Sequence, residues 1–370
     1  MKKYDVAAYI WPAYSGDDAR SRIFWSEGYG EWQSLKNSAP KFPGHKWPRR
    51  PLWGYVNEGD PYVMEMEIEA AVNHGINLFV YDWYWFDNRP FLENCLNDGF
   101  LKARNRNKMQ FYLMWANHCG RYNWDTRNCN LPMDNPIRSG LVNQEEFVRM
   151  SDRIIEKYFK EPNYYKIGGC PVFSIYTLPE LFESFGSLEN TKKALDGFRN
   201  RTVKAGFPGL HLQIVARRDG IISYPEYGVN NMTQNDVMVA LGADSITNYG
   251  NGCYMGINMP YEDTFPKIEE YHKIVEKYSM PYFPSVSLGW DNNPRYDMHT
   301  LMDDIIPNAT PEQFEKALNM MKNYVDRHPE NPPLIIINAW NEWTEANYLQ
   351  PDDIYGYAML ETVKKVFCKE

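Results

Sequence analysis

The chain has 370 residues, and 44% of them are hydrophobic, which is enough to form a large core. Its net charge of -9 argues against a nucleic-acid-binding protein, which needs a basic face, and makes a neutral or acidic polymer the better expected partner. No stretch approaches the ~18 apolar residues of a membrane-spanning helix, and the N-terminal segment lacks the apolar core of a signal peptide. We therefore expect a cytoplasmic protein with no membrane partner, unless an export signal has been removed.

Short apolar runs alternate along the chain with longer amphipathic segments. The runs predict strands at residues 6–11, 77–82, 110–115, 171–176, 211–216, 245–249, 282–287 and 334–339. The amphipathic segments predict helices at residues 63–74, 90–107, 144–159, 188–205, 233–241, 261–278, 311–327 and 355–367. This alternation predicts an α/β fold, a (β/α)8 TIM barrel formed as one domain over residues 1–370. A doubly wound sheet is the alternative, but no early strand is followed by a glycine-rich phosphate turn.

Two long loops follow the first and third predicted strands, at residues 13–62 and 116–143. Both are expected on the carboxyl-terminal face of the barrel, where the active sites of this fold lie. Their many aromatic residues argue against disorder. Aromatic residues make up 15% of the whole chain, which suits core packing and also suits stacking on the apolar faces of sugar rings.

Aromatic and hydrogen-bonding side chains follow nearly every predicted strand, which a purely structural barrel does not need. We therefore predict a substrate site built from these strand ends. The candidate binding residues are Trp11, Asp82, Trp83, Trp85, Trp115, Asn117, His118, Tyr176, Arg217, Tyr249, Trp290, Asp291, Arg295, Trp340, Asn341 and Trp343.

Several of these candidates have a second interpretation. Asp82 either binds a sugar hydroxyl or is a hydrogen-bonded acid at a strand end. Asp291 and Arg295 either form a surface ion pair, or Arg295 holds the ligand. His118 is more simply a solvated histidine in a polar loop than a catalytic one.

Two carboxylates three residues apart follow the last predicted strand, Glu342 and Glu345, flanked by Trp340 and Trp343. On a helical turn this spacing places the Cβ atoms about 5–6 Å apart, closer than the ~6.5–9.5 Å that an inverting pair of glycosidase carboxylates needs. The tryptophans are expected to lower the local dielectric constant and raise the pKa of one acid, as a proton donor requires. A helix-capping arrangement is the alternative. The pair predicts catalysis of sugar cleavage with retention.

The cysteines and histidines do not form a recognisable metal site. There are six cysteines, none in a C-x-x-C pair, and no cysteine–histidine cluster has zinc spacing. We therefore expect no metal, no cofactor and reduced thiols, with a bond between Cys119 and Cys129 left open.

The motif Asn341-Glu-Trp-Thr-Glu345, followed by Tyr348-Leu-Gln-Pro-Asp352, resembles the WbsX-like proteins. That family is often labelled glycosyltransferase and is related to glycoside hydrolase family 99, the endo-α-1,2-mannosidases. Segments at 8–12, 75–85 and 287–291 extend the resemblance over nearly the whole chain. The resemblance implies a (β/α)8 barrel in which Glu342 deprotonates the 2-hydroxyl of the substrate. Glu345 then protonates the leaving oxygen and later activates water, by way of a 1,2-anhydro sugar.

We therefore expect a retaining glycoside hydrolase acting on an α-linked oligosaccharide or polysaccharide, as a monomer or weak homo-oligomer. The long early loops depart from family 99, so the resemblance implies a mannose- or rhamnose-type sugar rather than mannose itself. A glycosyltransferase is the first alternative, although the sequence shows no diphosphate-binding motif. A non-catalytic carbohydrate-binding barrel is the second, and the presence of both acids argues against it.

Overall fold

The computed structural model describes residues 4–128, 136–217, 220–250 and 258–368. Nine parallel strands form a nearly closed barrel, in the order β7-β6-β5-β4-β3-β2-β1-β9-β8. Their bounds are β1 (Asp5–Ile10), β2 (Leu78–Phe86), β3 (Gln110–Trp115), β4 (Cys170–Ile175), β5 (His211–Val215), β6 (Ser245–Thr247), β7 (Tyr282–Phe283), β8 (Ser285–Ser287) and β9 (Leu334–Asn338).

The two ends of this sheet are consecutive in the chain. β7 pairs with β6, β8 pairs with β9, and only Pro284 separates β7 from β8. Because proline has no N–H to donate, it interrupts the ladder of a single strand. The predicted seventh strand, residues 282–287, is thus one segment divided into β7 and β8. Its first half pairs with β6 at one edge of the sheet and its second half with β9 at the other, so the two edges lie side by side. The predicted (β/α)8 barrel is confirmed, with eight strand segments in the predicted places.

The strands are buried on both faces, as parallel strands covered by helices must be. All residues of β2 and β9 are buried, and so are all of β1 except Asp5. In β9 the run Leu334-Ile-Ile-Ile pairs in register with β1 and extends the apolar core through the barrel. The polar residues that follow β9 therefore begin where the buried run ends.

α-Helices lie between successive strands, except between β2 and β3 and between β7 and β8. Their bounds are α1 (Trp32–Lys36), α2 (Pro61–Asn73), α3 (Gln144–Ile154), α4 (Leu178–Phe185), α5 (Leu188–Lys204), α6 (Gln234–Leu241), α7 (Phe265–Val275), α8 (Pro311–Arg327) and α9 (Ala358–Phe367). The side chains of Asp60, Asn143, Ser187, Thr233 and Thr310 each accept a hydrogen bond from a first-turn N–H, which fixes where five of these helices begin. None of the helices in the described ranges is both long enough and apolar enough to cross a membrane.

The predicted helix at 90–107 is wrong as a single helix. Arg89–Phe91 pairs antiparallel with the end of β2, and Cys95–Gly99 and Phe100–Lys102 form π and 3-10 turns. Gly99 packs so closely on the first loop that a Cβ there would lie 2.1 Å from the carbonyl oxygen of Glu58. The local sequence around Gly99 gives no sign of this contact with a distant segment, so the periodicity of apolar residues predicted a regular helix. Helix α4 and the antiparallel pair Ile221–Tyr224 with Val229–Thr233 were also not predicted.

The two long loops carry a second apolar cluster over the mouth of the barrel. It joins Trp11, which follows β1, and Trp25 and Trp32 of the first long loop with Trp124 of the second long loop and Trp343 after β9. The rings of Trp25 and Trp124 stack with centroids 5.5 Å apart and planes 6° apart. Much of the aromatic excess is therefore used for packing rather than for ligand contact.

Candidate functional site

A polar pocket of about 370 Å³ opens at the carboxyl-terminal ends of the strands. The predicted candidates that line it are Trp11, Asp82, His118, Tyr176, Arg217, Tyr249, Arg295, Glu342 and Glu345. The carboxyl ends of parallel barrel strands meet at one face, so side chains distant in sequence converge there. The structure thus brings both acids together with candidates from most of the other strand ends.

Glu342 and Glu345 are set on a tight turn immediately after β9. Asn341–Glu342 pairs antiparallel with Asn347–Tyr348, and Trp343–Glu345 forms a 3-10 turn. The Glu342 side chain makes no capping hydrogen bond to this turn. Both carboxyl groups line the pocket and are almost completely buried, with 4% and 8% of each residue exposed.

One guanidinium group contacts both acids. Arg295 Nη1 donates to Glu345 Oε1 at 2.7 Å, and Arg295 Nη2 lies 3.6 Å from Glu342 Oε2. Arg295 Nε donates to Thr344 Oγ1 at 2.9 Å and to Glu31 Oε1 at 3.1 Å. The alternative of a surface ion pair between Arg295 and Asp291 is wrong, because Arg295 is buried among these other partners.

Asp291 lies outside the pocket lining and is held by other groups. Its Oδ2 is 2.7 Å from both His45 Nε2 and Trp47 Nε1, and its Oδ1 accepts from Asn293. Burial by itself would raise the pKa of Asp291, but these hydrogen bonds lower it below its usual value. Asp291 therefore anchors the first loop to the segment that carries Arg295.

Burial raises the pKa of both acids. The pKa of Glu342 lies well above its usual value because of burial and the nearby charge of Glu345, with Arg295 acting in the opposite direction. Burial also raises the pKa of Glu345, and Arg295 opposes that rise as well. Such a pair loses its protons in coupled steps, so one carboxyl can stay protonated while the other is ionised. Because Arg295 is nearer to Glu345, it favours the ionised form of Glu345.

A tyrosine joins Glu342 to a third acid. The Tyr249 hydroxyl oxygen lies 2.8 Å from Asp82 Oδ2 and 2.9 Å from Glu342 Oε1. A phenol has one hydrogen to donate, so at least one of these two contacts requires a proton on the carboxyl group. Burial raises the pKa of Asp82 well above its usual value. This geometry therefore favours a protonated carboxyl group on Asp82 or on Glu342.

The turn that carries Glu342 is supported from behind by buried side chains. Asn341 accepts from the Trp11 backbone N–H at 2.7 Å, donates to the Trp11 carbonyl oxygen at 2.8 Å, and donates to Glu58. Trp340 Nε1 donates to Glu67 Oε2 at 2.9 Å. Asn341 and Trp340, predicted as ligand contacts, lie behind the pocket wall and fix its position.

Gln350 connects this support. Its side-chain N–H groups donate to Glu58 and Glu67 at 3.1 Å, and its oxygen accepts from Trp343 Nε1 at 2.6 Å. Burial raises the pKa of Glu58 to about 7. Burial and the charge of Glu58 raise the pKa of Glu67 well above its usual value. Glu67 therefore favours the protonated form at neutral pH, and Glu58 changes its protonation state near pH 7.

Strand alternation decides which residues of β2 face the pocket. Asp82 and Tyr84 line it, whereas the indole N–H groups of Trp83 and Trp85 donate to Glu93 and Glu146 outside the barrel. The predicted candidates that lie outside the pocket lining are Trp83, Trp85, Trp115, Asn117, Asp291, Trp340, Asn341 and Trp343. Trp290 lines a neighbouring cavity instead.

His118 lies half-buried in the pocket wall. Its Nδ1 is 3.0 Å from the Cys119 carbonyl oxygen, which can only accept, so Nδ1 carries the hydrogen and Nε2 is free to accept. Nε2 is 3.5 Å from the Tyr84 hydroxyl. Burial lowers the pKa of His118, so the ring is neutral near pH 7.

The comparisons with known proteins agree with this architecture. The family model described as Glycosyltransferase WbsX matches residues 7–363. The chain belongs to the WbsX family. The WxcX proteins of two strains of Xanthomonas campestris pv. campestris, described as uncharacterized, are 24% identical over 355 residues, covering 94% of this chain. The chain spans about half the length of these relatives, 47%.

Two solved structures show a similar fold. The GH99 endo-alpha-mannosidase from Bacteroides thetaiotaomicron aligns with a TM-score of 0.53 at 13% identity, covering 99% of this chain and 96% of that one. A protein described as glycoside hydrolase-like aligns with a TM-score of 0.55 at 13% identity, covering 99% and 94%. At this identity the likeness establishes the barrel fold alone, and the chemistry must be argued from the site.

Several pocket residues were not predicted from sequence. Tyr84 follows from Asp82 by strand alternation and could have been found. Glu31 does not line the pocket but is buried against Arg295 and the Trp11 indole, and it lies in the long first loop, where no local pattern marks it. The other unpredicted lining residues are Met114, Ala116, Cys119, Arg121, Asn123 and Trp124.

In the described ranges, no three His, Cys, Asp or Glu side chains are close enough to hold a metal ion. Cys119 is a buried free thiol. Cys129, its suggested partner, lies outside the described residues.

Proposed function

We propose that this WbsX-family chain is a glycoside hydrolase that cleaves an α-linked oligosaccharide or polysaccharide with retention, as a single catalytic barrel over residues 1–370. The observation that carries the proposal is the contact of Arg295 with both Glu342 and Glu345 in the polar pocket. One cation facing two buried acids leaves a net negative charge there, which favours keeping a proton on the pair. A donor and an acceptor for protons side by side are what glycoside hydrolysis needs.

The proposed reaction assigns each acid one proton transfer. Glu342 accepts the proton of the substrate 2-hydroxyl, whose oxygen attacks the anomeric carbon while Glu345 protonates the departing oxygen. The products of this step are a 1,2-anhydro sugar and the free leaving group. Water then attacks the anomeric carbon and gives its proton to Glu345. The three-membered anhydro ring opens, and its oxygen takes back a proton from Glu342 to become the 2-hydroxyl again. Two inversions at one carbon amount to retention.

The ion pair of Glu345 sharpens the question of which acid starts with the proton. Motif resemblance assigns it to Glu345, but Arg295 is 2.7 Å from Glu345 and 3.6 Å from Glu342, which favours a proton on Glu342 before substrate binds. The motif assignment therefore requires substrate binding to move the proton or the guanidinium. The opposite assignment, with Glu342 as acid, predicts a different response to the leaving group.

Glycosyl fluorides separate the two assignments, because fluoride departs with little help from an acid. We expect Glu345→Gln to lower kcat/KM on an oligosaccharide by about 10²–10⁴-fold, the usual contribution of an acid–base group, and to lower it far less on the matching α-glycosyl fluoride. Glu342→Gln should impair both substrates. The reverse pattern would exchange the two roles, and near-full activity of either variant would refute the pair.

A panel of α-mannosyl and α-rhamnosyl fluorides and of α-linked mannosides, rhamnosides and bacterial polysaccharides provides the substrates for this test. Proton NMR of the first product shows whether the anomeric configuration is retained. Hydrolysis of no member of the panel, with the fold intact by circular dichroism, would contradict the proposal.

A glycosyltransferase is the second candidate function. The family description favours it, and Arg121 and Arg217 line the same pocket as Arg295, where arginines can bind phosphate. Calorimetric titration with nucleoside diphosphate sugars tests it. Binding of such a donor in preference to every oligosaccharide would establish the transferase.

A further inference from the structure

A second cavity adjoins the polar pocket, with a volume of about 670 Å³. The two share Tyr176, Arg217, Tyr249 and Glu345, so they form one two-lobed cleft that meets at Glu345. Both volumes lie within or near the ~300–1,000 Å³ usual for ligand sites. We call the second cavity the apolar lobe, after the apolar side chains among its lining residues: Leu178, Pro179, Val215, Ile222, Tyr224 and Trp290.

The positions of the acids decide which part of a substrate each lobe receives. Glu342 and Asp82 line only the polar pocket, whereas Glu345 lines both cavities. Under the proposed function, Glu342 acts on the sugar whose anomeric carbon is attacked, and Glu345 acts on the oxygen between that sugar and the leaving group. The sugar that is attacked therefore occupies the polar pocket, and the leaving group extends past Glu345 into the apolar lobe.

The apolar lobe is poorly suited, over the aliphatic part of its lining, to the hydroxyl groups of a sugar. Its aliphatic side chains offer no hydrogen bonds, so a hydroxyl placed against Ile222 or Leu178 would lose its water without compensation. The lobe is also lined by polar side chains, Thr177, Gln234, Ser287, Asn338 and Asn347. An aromatic face, aliphatic side chains and several polar groups suit a sugar that has both hydroxyl groups and an apolar edge.

We propose that the apolar lobe binds the leaving-group residue and selects a 6-deoxyhexose, whose methyl group replaces the hydroxymethyl group of an ordinary hexose. This inference rests on the proposed function and adds a preference for the residue that leaves. An apolar pocket discriminates against an added hydroxyl or a changed methylene by about 10- to 100-fold. That factor is the expected preference in kcat/KM.

The test uses two disaccharides that share the residue to be cleaved and its linkage and differ only at C6 of the leaving residue, one mannose and one 6-deoxymannose. The wild-type protein should cleave the 6-deoxy compound about 10- to 100-fold more efficiently. Ile222→Asn should reduce the preference to a few-fold or less. Ile221→Asn is the matched control, because Ile221 is the preceding residue of the same hairpin, is 62% exposed and does not line the lobe.

The outcomes separate the lobe from the catalytic proposal. Equal cleavage of the two disaccharides, or a preference unchanged in Ile222→Asn, overturns the lobe assignment while turnover itself upholds the hydrolase. If the wild type hydrolyses neither disaccharide nor any glycosyl fluoride, the hydrolase proposal fails. The lobe is then judged by NMR titration with methyl 6-deoxy-α-mannopyranoside and methyl α-mannopyranoside. Tighter binding of the first, lost in Ile222→Asn, supports the lobe, and equal binding overturns it.

Discussion

Replacing Asp82 by asparagine tests whether a proton is stored between Asp82 and Glu342. The Tyr249 hydroxyl is within 2.9 Å of both carboxyl groups but carries one hydrogen. If Glu342 is the base, Tyr249 donates to Glu342, and a protonated Asp82 donates to the Tyr249 oxygen. An asparagine amide can make the same donation, so Asp82→Asn should keep kcat/KM within about tenfold of the wild type, a change of ~1.4 kcal/mol.

Asp82→Ala is the matched contrast. It removes the donor and leaves the buried Tyr249 oxygen without it, at a cost of about 1–3 kcal/mol. That cost corresponds to a fall of about 5- to 150-fold in kcat/KM if it is expressed in the transition state. If Asp82 is instead an ionised ligand for a sugar hydroxyl, the asparagine variant should be as impaired as the alanine variant.

Infrared difference spectroscopy measures the stored proton without a substrate. At neutral pH the wild type minus Asp82→Asn spectrum should contain the C=O band of a protonated carboxylic acid. Burial raises the pKa of Asp82 above its usual value. The band should therefore persist at pH values at which an ordinary aspartic acid is ionised, and it should disappear as the pH rises through the raised pKa of Asp82. Absence of the band at neutral pH, together with equal losses in the two variants, would refute the proton-sharing argument.

Three further predictions concern the groups around the acids. Arg295→Met leaves the carboxylates of Glu31 and Glu345 without their cation, so the free energy of unfolding by urea at neutral pH should fall by about 3–5 kcal/mol. This loss should be smaller at lower pH, where the carboxylates are protonated. A loss below ~1 kcal/mol at neutral pH would contradict the arrangement. Glu58→Gln should remove a pH dependence, because the pKa of Glu58 is raised from 4.5 to about 7 on folding. The wild type therefore loses about 3 kcal/mol as the pH rises through that window, and the variant should gain relative stability across it, whereas a constant difference would argue against the raised pKa. Asn341→Ala removes both hydrogen bonds to the Trp11 backbone and should cost about 1–3 kcal/mol in the same assay; an unchanged unfolding midpoint would exclude this supporting role.

The sequence by itself determined where the strands lie and which face of the barrel carries the acids. Buried parallel strands need continuous apolar runs, and those runs end where polar residues begin, so β3 and β9 were located to within a residue. Glu342 and Glu345 follow directly from the end of β9. The sequence also marks where helices begin, because a capping side chain and a proline in the first turn lie within a few residues of the helix start, as Thr310 and Pro311 do in α8.

Only the tertiary structure decided which side chains share the pocket. Side chains of β2 alternate between the two faces of the sheet, so Asp82 points into the barrel while Trp83 points outward. The sequence of this aromatic-rich strand end does not reveal which of the alternate residues face the pocket. Arg295 meets Glu31 across 264 positions of sequence, and Gly99 fits against Glu58 from another loop. These contacts depend on how long loops fold over the barrel mouth, and packing between distant segments leaves no periodic signal in either segment. The two acids and Arg295 were visible in the sequence, but the contact of Arg295 with both acids and the second cavity beside Glu345 were not.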